Sequence, residues 1–302
     1  MTMLTLVWYF TICTLLCQSI VFGQRIVAVG DIHGDYHRML TILKFSGIVD
    51  DDAHWAGGDT IFVQTGDIVD RGDDTIKLYQ LIQKLQEEAP LHGGQVVSLL
   101  GNHEIMNLSG DWRYVSEHDI QIFGGVEERK KAFAPEGWIG RDLVEKNLTA
   151  KVGTSVFVHG GIHPSFAQEG VEGINLKTRQ TILDYVESRG RHDPYKVFGG
   201  HGPTWYRGYA LDDGNICSIL DEALDLLEAD RMVMGHTVQR DGMIHTRCGG
   251  KAVLIDIGIS HVYGGHFGAL EIVGDELTAL YRDGRRRLLV DRGRPKMIHQ
   301  EL

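Results

Sequence analysis

VGDIHG, at residues 29–34, joins an apolar run to two potential metal ligands. The residues RIVAV at 25–29 predict a buried strand, because the run is short, rich in β-branched side chains and ended by a glycine. Asp31 and His33 stand two positions apart, so both side chains can point toward one ion. Open α/β sheets hold their ligands at the carboxyl ends of strands, which is where this pair would lie.

Four later segments repeat this pattern of an apolar run followed by a potential ligand. They are IFVQTGDIVDRG at 61–72, VVSLLGNHE at 96–104, SVFVHGG at 155–161 and RMVMGHT at 231–237. Asp, Asn and His supply the oxygen and imidazole ligands that suit Mn, Fe or Zn. A hydrophobic core does not by itself require such residues at the ends of five strands. The pattern therefore predicts a metal site at one edge of an α/β sheet.

In this order, the blocks GDIHG, GDIVDRG, GNHE, HGG and GHT resemble those of the phosphoprotein phosphatase branch of the calcineurin-like metallophosphoesterases. Within that branch, GNHEIMNLSGDW at 101–112 and HGPTWYRGY at 201–209 are similar to the Shewanella-like protein phosphatases. The resemblance implies a metal-dependent phosphomonoesterase that hydrolyses phosphoproteins by direct attack of a metal-activated hydroxide. Its substrates would carry phosphotyrosine, phosphoserine or phosphothreonine.

The resemblance also implies a set of metal ligands for two divalent ions, which would be Mn, Fe or Zn. One ion would be held by the blocks that follow the first two strands, and the other by the three later blocks. A carboxylate would bridge the two ions and fix their separation. The implied ligands are Asp31, His33 and the bridging Asp67 for the first ion, with Asn102, His159 and His236 completing the second.

By the same resemblance, His103 is the general acid and Asp70 orients its ring. An imidazole titrates near working pH and can protonate the leaving oxygen. Arg71 and Arg207 would bind the substrate phosphate together with Asn102, since a planar guanidinium suits bidentate contacts to phosphate oxygens. The competing interpretations are a histidine that only supports a metal ligand at position 103 and a structural salt bridge at Arg71.

Two further residues are expected close to this site. Asp256, in LIDIG, is a strand carboxylate that could hydrogen-bond a metal-ligating histidine. Tyr263 could correspond to the tyrosine that the eukaryotic enzymes place over their site, although HVYGGHFGA matches their block poorly.

The alternation of strands and helices predicts a parallel sheet and a four-layer αββα sandwich, as the resemblance also implies. Short strands after Lys251 predict a second sheet that packs on the first. Residues 105–153 lack a regular period and predict a mostly helical insertion that covers the site. The other predicted elements are helices at 36–45, 73–88, 172–187 and 219–230 and strands at 60–64, 95–99, 252–257, 268–273 and 277–282.

The 302 residues are 43% hydrophobic and 24% charged, which suits one globular catalytic domain over 25–302. A net charge of -11 argues against nucleic acid or an anionic membrane surface as the main partner.

Residues 1–24 contain no charged side chain and predict a signal peptide cleaved near Gly23, with an uncleaved membrane anchor as the alternative. The predicted location is the secretory pathway, whether secreted, lumenal or periplasmic.

Cys217 and Cys248 lie in the predicted mature chain, either as one disulfide or as two buried thiols. Asn107 and Asn147 begin glycosylation sequons, and only Asn147 is favoured, because Asn107 adjoins the GNHE block.

Two other functions remain alternatives to the phosphoprotein phosphatase. A symmetrical dinucleoside tetraphosphatase shares GDxHG, GDxVDRG and GNHE, but it is disfavoured by WYRGY at 205–209 and by the apolar N-terminal segment. A catalytically inactive phosphopeptide-binding module would require the loss of a ligand or of the acid, and none is missing.

Overall fold

The computed structural model describes residues 23–290, and the terminal segments 1–22 and 291–302 lie outside that range. The predicted signal peptide or anchor therefore lies almost entirely outside the described residues. Within residues 23–290, no helix is both long and apolar enough to cross a membrane.

The first sheet contains six strands, which are β1 Ile26–Val29, β2 Ile61–Gln64, β3 Gln95–Ser98, β9 Gly268–Val273, β10 Glu276–Tyr281 and β11 Arg286–Val290. Their spatial order is β11-β10-β9-β1-β2-β3. Strands β1, β2 and β3 are parallel, as predicted, whereas β9 runs antiparallel to β1 and pairs Ile26 with Ile272. Every residue of β1 and β2 is buried, which explains their continuous apolar runs.

The second sheet contains five strands, which are β4 Thr149–Val152, β5 Ser155–Val158, β6 Arg231–Met234, β7 His245–Arg247 and β8 Ala252–Leu254. Their spatial order is β4-β5-β6-β8-β7. Strands β5, β6 and β8 are parallel, and β4 and β7 add antiparallel edges. Apolar side chains of both sheets belong to one continuous core.

Helices complete the αββα sandwich. The helices before the second sheet are α1 Tyr36–Phe45, α2 Thr75–Glu88, α3 Asn102–Leu108, α4 Glu117–Ile122, α5 Val126–Phe133 and α6 Gly140–Glu145. The later helices are α7 Pro164–Ala167, α8 Gly170–Glu187, α9 Gly208–Leu211 and α10 Ile216–Leu226. Helix α2 packs on β3, and α8 packs on β4. Short 3₁₀ turns cover Ala89–His92, Cys248–Gly250 and His261–Tyr263.

The strand prediction after Lys251 is wrong in one respect. Of those strands, only β8 joins the second sheet, whereas β9 and β10 extend the first sheet. Strand β9 covers the edge of β1, whose four residues are all buried and would otherwise expose unpaired backbone groups. Short apolar strands have the same pattern in either sheet, so the sequence does not reveal which partner a strand takes.

The predicted 219–230 helix is displaced, because α10 begins at Ile216 and ends at Leu226. The residue Glu228 has a φ of 51°, which is incompatible with continuing the helix. Within 105–153, α4, α5, α6 and most of α3 are helical as expected, but β4 forms an edge of the second sheet. A disulfide joins Cys217 in α10 to Cys248, with Cα atoms 5.2 Å apart.

Candidate metal centre

Five strand ends converge on one buried cluster of carboxylate, amide and imidazole groups. The Nε2 atom of His159 lies 2.9 Å from Oδ1 of Asn102, 3.0 Å from Nδ1 of His236 and 3.2 Å from Oδ2 of Asp67. The Nε2 atom of His33 lies 3.7 Å from the same Asp67 oxygen. Asp67 is therefore at the centre of the cluster.

The sixth expected ligand, Asp31, lies beside these groups. Its Oδ2 atom is 3.9 Å from Nε2 of His33, and both of its carboxylate oxygens accept the backbone N–H of His236 at 3.1 Å. The six expected ligands are thus brought together from five separate loops. They are Asp31, His33, Asp67, Asn102, His159 and His236, all 5% exposed or less.

These residues fit divalent ions. Ligand atoms bound at about 2.0–2.2 Å to one ion lie roughly 3 Å apart, which is the spacing around His159. Two groups of side chains in residues 23–290 have donor atoms close enough to hold an ion, and Asp67 belongs to both. One contains His159 and His236, and the other contains His33 and His103. The fold and the donor set together indicate a centre that can bind divalent metal ions.

Electrostatics also indicate that cations belong here. Burial raises the pKa of Asp31 well above its ordinary value, and the nearby carboxylates of Asp256 and Asp67 add to that rise. Burial likewise raises the pKa of Asp256 to about 6. Although burial would also raise the pKa of Asp67, the surrounding histidines hold it well below the usual range. Neighbouring buried carboxylates repel one another, and bound divalent cations would relieve that repulsion.

The backbone of the site is strained at several ligands. His33, Asp67 and His236 have φ values of 47°, 56° and 65°, and Asp70 and Arg71 both have 70°. Each non-glycine residue in such a conformation costs about 1–3 kcal/mol, so the surrounding structure must impose it. Hydrogen bonds from the backbone N–H groups of Ile32 and His33 to the Asp67 carbonyl, at 2.9 and 3.0 Å, tie the first two loops together.

Glu104 organises the loops beneath the ligands, a role that the sequence analysis missed. Its fully buried Oε2 atom accepts the backbone N–H groups of Asp67 and Gly101, both at 2.8 Å. Its Oε1 atom accepts that of Ile68 at 2.8 Å. Burial raises the pKa of Glu104. Its place in GNHE was the available signal, but a motif does not say whether an acidic residue binds metal or backbone.

We expect Glu104→Gln to destabilise the fold rather than to alter substrate chemistry. The amide nitrogen of glutamine can only donate, so it would face N–H groups that now have an acceptor. Leaving buried donors unpaired costs about 1–3 kcal/mol each, so thermal unfolding should occur several degrees lower. Differential scanning calorimetry checks this, with Glu87→Gln as the control because Glu87 is exposed on α2. Equal unfolding midpoints for Glu104→Gln and the wild type would contradict the prediction.

His103 and Asp70 form a close pair at the wall of the cluster. The Nδ1 atom of His103 lies 2.6 Å from Oδ2 of Asp70, so its N–H donates to the carboxylate and Nε2 is left on the side of the metal ligands. That Nε2 atom is 3.8 Å from Oδ2 of Asp67. Burial would lower the pKa of His103, but the carboxylates of Asp67 and Asp70 outweigh it and raise that pKa above its ordinary value.

Arg71 lies between two tyrosines, and all three side chains line one cavity with the metal-ligand cluster. Its guanidinium lies 3.9 Å from the ring centre of Tyr114 and 5.7 Å from that of Tyr263. The backbone N–H of Arg71 also donates to the carbonyl oxygen of Tyr114 at 2.9 Å. Among residues 23–290, no carboxylate lies within salt-bridge distance of Arg71. Tyr263 also packs on His33, with ring centres 5.0 Å apart.

Arg207 lies beside His236. Its Nη1 atom donates to the His236 carbonyl at 2.6 Å and to the Thr237 hydroxyl at 3.1 Å. Its Nη2 atom lies 3.4 Å from Nδ1 of His236. Trp205 stands edge-on to His236, with ring centres 5.5 Å apart. A cavity of about 410 Å³ includes both arginines in its lining, together with Asp256, one of whose buried oxygens has no hydrogen-bond partner within the described residues.

Comparison with known proteins agrees with this geometry. A family model described as calcineurin-like phosphoesterase matches residues 24–240. The chain therefore belongs to the calcineurin-like phosphoesterase family, and it is a metal-dependent hydrolase of phosphate esters. Within that family it belongs with the Shewanella-like protein phosphatases, as its relatives show.

Two curated relatives cover most of the chain. Shewanella-like protein phosphatase 2 of Arabidopsis thaliana is 33% identical over 283 residues, covering 78% of this chain and 72% of that protein. An uncharacterised protein of Schizosaccharomyces pombe is 38% identical over 284 residues, covering 87% of this chain and 83% of that protein. The solved cold-active protein-tyrosine phosphatase of a psychrophile Shewanella species is also similar, with a TM-score of 0.74, 30% identity and coverage of 88% and 80% of the two chains.

Proposed function

We propose that this protein is a two-metal phosphomonoesterase that acts on phosphoproteins. The observation that carries the proposal is the convergence of six candidate metal-ligand side chains, five of which line one cavity together with two arginines and His103, whose ring is paired with Asp70. Asp67 would be the ligand shared by the two ions. Asp31 and His33 would complete the ligands of the first ion, and Asn102, His159 and His236 would complete those of the second.

When bound, the two ions supply Lewis-acid stabilisation of the phosphoryl oxygens and lower the pKa of the attacking water. Arg71 and Arg207, which both line the cavity, bind the remaining phosphate oxygens, assisted by the amide of Asn102. His103 donates the proton of its Nε2 atom to the leaving oxygen, while Asp70 holds the Nδ1 side of the ring. The position of Nε2 on the side of the metal ligands supports this role.

The aromatic walls of the cavity favour phosphotyrosine among the possible phosphoprotein substrates. Tyr114, Trp205 and Tyr263 line the cavity beside Arg71 and Arg207. Aromatic side chains pack favourably against another aromatic ring, which a phosphotyrosine supplies and a phosphoserine does not. The name of the similar Shewanella protein, a protein-tyrosine phosphatase, agrees with this preference.

Turnover by the mature chain with manganese tests the proposal and both alternatives. We expect the highest kcat/KM for a phosphotyrosine peptide, a lower value for the matched phosphoserine peptide and the lowest value for diadenosine tetraphosphate. The two peptides should differ only at the phosphorylated residue. Preferred cleavage of diadenosine tetraphosphate would favour the dinucleoside tetraphosphatase. Binding of phosphopeptide without turnover would favour the inactive binding module.

Replacement of Arg71 tests the phosphate-binding role. We expect Arg71→Ala to raise KM and to lower kcat, because the guanidinium contacts the phosphoryl group in both the ground state and the transition state. The loss in kcat/KM should be about 10²-fold, as for removal of a charged hydrogen-bond donor worth roughly 2–3 kcal/mol. Arg113→Ala is the matched control, since Arg113 is exposed and pairs with Asp111. Unchanged kinetics in Arg71→Ala, with only a lower thermal stability, would indicate a structural role.

We further propose that the chain enters the secretory pathway and is cleaved near Gly23. The Cys217–Cys248 disulfide and the exposed position of Asn147 are compatible with an oxidising compartment. Because β1 begins at Ile26, removal of the first residues would leave the sheet intact. Mass spectrometry of the secreted or lumenal protein should find an N-terminus near Gln24. Retention of Met1 in a membrane fraction would instead indicate an anchor.

A further inference from the structure

We propose that Arg129, a buried arginine of helix α5, positions the Asp70–His103 pair through the side chain of Asn107. Arg129 lies in the helical segment that follows GNHE, and its guanidinium is fully buried. The inference rests on the general-acid role proposed above for His103, and it adds a residue that no sequence motif marks.

The surroundings of Arg129 hold its guanidinium in one place. Its carbon Cζ lies 4.5 Å from the ring centre of Phe133, 5.1 Å from that of Trp112 and 5.3 Å from that of Phe123. Its Nε atom donates to Oδ2 of Asp119 at 3.1 Å, which supplies a counter-charge. A buried charge without such a partner would be strongly destabilising.

The two terminal nitrogens of the guanidinium are directed toward the Asp70–His103 pair. Its Nη1 atom donates to Oδ1 of Asn107 at 2.7 Å. Its Nη2 atom lies 4.0 Å from Oδ1 of Asp70 and has no hydrogen-bond partner within the described residues. Arg129 therefore faces one carboxylate that neutralises it and a second carboxylate that it reaches through an amide.

The chemistry of the donors fixes the orientation of Asn107. A guanidinium can only donate hydrogen bonds, so the oxygen of the Asn107 amide must face Arg129. The amide nitrogen then faces Oδ1 of Asp70 and the carbonyl oxygen of His103, both at 2.9 Å. The reversed amide would place its oxygen against two acceptors and its nitrogen against a donor. Arg129 thus selects the amide orientation in which Asn107 donates to Asp70.

This orientation determines how Asp70 meets His103. Because Oδ1 of Asp70 is occupied by Asn107, Oδ2 accepts the Nδ1–H of His103 at 2.6 Å. The imidazole is then held with Nε2 on the side of the metal ligands, where a leaving oxygen needs its proton. Asp70 has a φ of 70°, so its loop depends on such contacts to keep its geometry.

A purely structural role for Arg129 makes a different prediction. If the guanidinium only anchored α5 to the core, its loss would lower the stability and the active fraction, and every substrate would be affected equally. If it positions the acid, the loss should grow with the basicity of the leaving group. The two roles are therefore separated by substrates that differ in their leaving group.

The experiment compares Arg129→Met and Arg129→Lys on a phosphoserine peptide, a phosphotyrosine peptide and p-nitrophenyl phosphate. We expect Arg129→Met to lower kcat about 10–100-fold on phosphoserine and less than about threefold on p-nitrophenyl phosphate, with KM little changed. Arg129→Lys keeps a cationic donor for Asn107 and should recover much of the loss. The control Asp119→Asn weakens the anchor but not the link to Asn107, so it should lower thermal stability and affect all substrates alike.

If Arg129→Met does not fold, Asn107→Ala makes the same comparison, because it removes the link and leaves Arg129 with Asp119. An equal loss on all three substrates in these variants, while His103→Asn retains its dependence on the leaving group, would overturn the inference alone. No such dependence in His103→Asn would overturn the proposed acid and this inference together. A loss confined to the basic leaving groups in both His103→Asn and Arg129→Met would support both.

Discussion

Asp67→Asn is expected to abolish turnover even in excess manganese. Asp67 is the one residue common to both groups of potential ligands, so its carboxylate is required at both positions. The loss of several kcal/mol of transition-state stabilisation lowers the rate by at least about 10³-fold. Asparagine has nearly the same shape, tolerates the φ of 56° at this position and can still accept the backbone N–H of His103 through Oδ1. The effect should therefore reflect the lost charge.

His33→Asn provides the comparison, because His33 belongs to only one of the two groups. We expect added manganese to restore part of its activity and none of that of Asp67→Asn. Inductively coupled plasma mass spectrometry gives the metal content, and circular dichroism shows that both variants are folded. An Asp67→Asn protein with the activity and metal content of the wild type would overturn the assignment of the bridging carboxylate.

His103→Asn should give a loss that depends on the leaving group. A serine alkoxide is very basic, a tyrosine phenoxide with a parent pKa of about 10 is less so, and nitrophenoxide needs little protonation. Removal of a general acid should therefore lower kcat about 10²–10⁴-fold on phosphoserine, less on phosphotyrosine and only slightly on p-nitrophenyl phosphate. Steady-state kinetics on the three substrates measures this order.

Asp70→Asn is the companion variant, because Asp70 only orients the ring of His103. It should show the same order of substrates with smaller losses, since an amide can still lie against Nδ1. Metal content must be measured in both variants, given that His103 lies 3.8 Å from Asp67. Equal losses on all substrates with intact metal content would assign His103 to phosphate positioning instead.

The sequence was sufficient to predict that the six candidate metal ligands lie close together, and the reason is local. Each ligand follows a short apolar strand within a few residues, so the direction of the strand determines which edge of the sheet its ligand occupies. Asp31 and His236 are 205 positions apart and still meet, because the carboxyl ends of β1 in the first sheet and of β6 in the second sheet lie next to each other. The four-layer fold follows from the same alternation of strands and helices.

Other parts of the site depend on tertiary contacts that no local pattern encodes. Tyr114, Asn107 and Arg129 come from the segment with irregular periodicity, where the sequence predicted helices but not their packing. The sequence analysis gave Asn107 no role in the site and considered it individually only as a glycosylation sequon, whereas it is 2% exposed and its amide donates to Asp70. The stacking of Arg71 on Tyr114 was likewise hidden, since it requires the insertion to pack back on the second loop.

The position of β1 in the first sheet has a consequence for how the chain reaches its native state. The strand that opens the fold lies between β2 and β9, and Ile26 pairs with Ile272 near the other end of the sequence. Strand pairings of such high sequence separation form late, and they make folding slower. During synthesis, β1, β2 and β3 can assemble early, but β1 keeps one unpaired edge until residues 268–273 have left the ribosome. A chain stopped after residue 240 would hold all six ligand residues and still expose this apolar edge to aggregation.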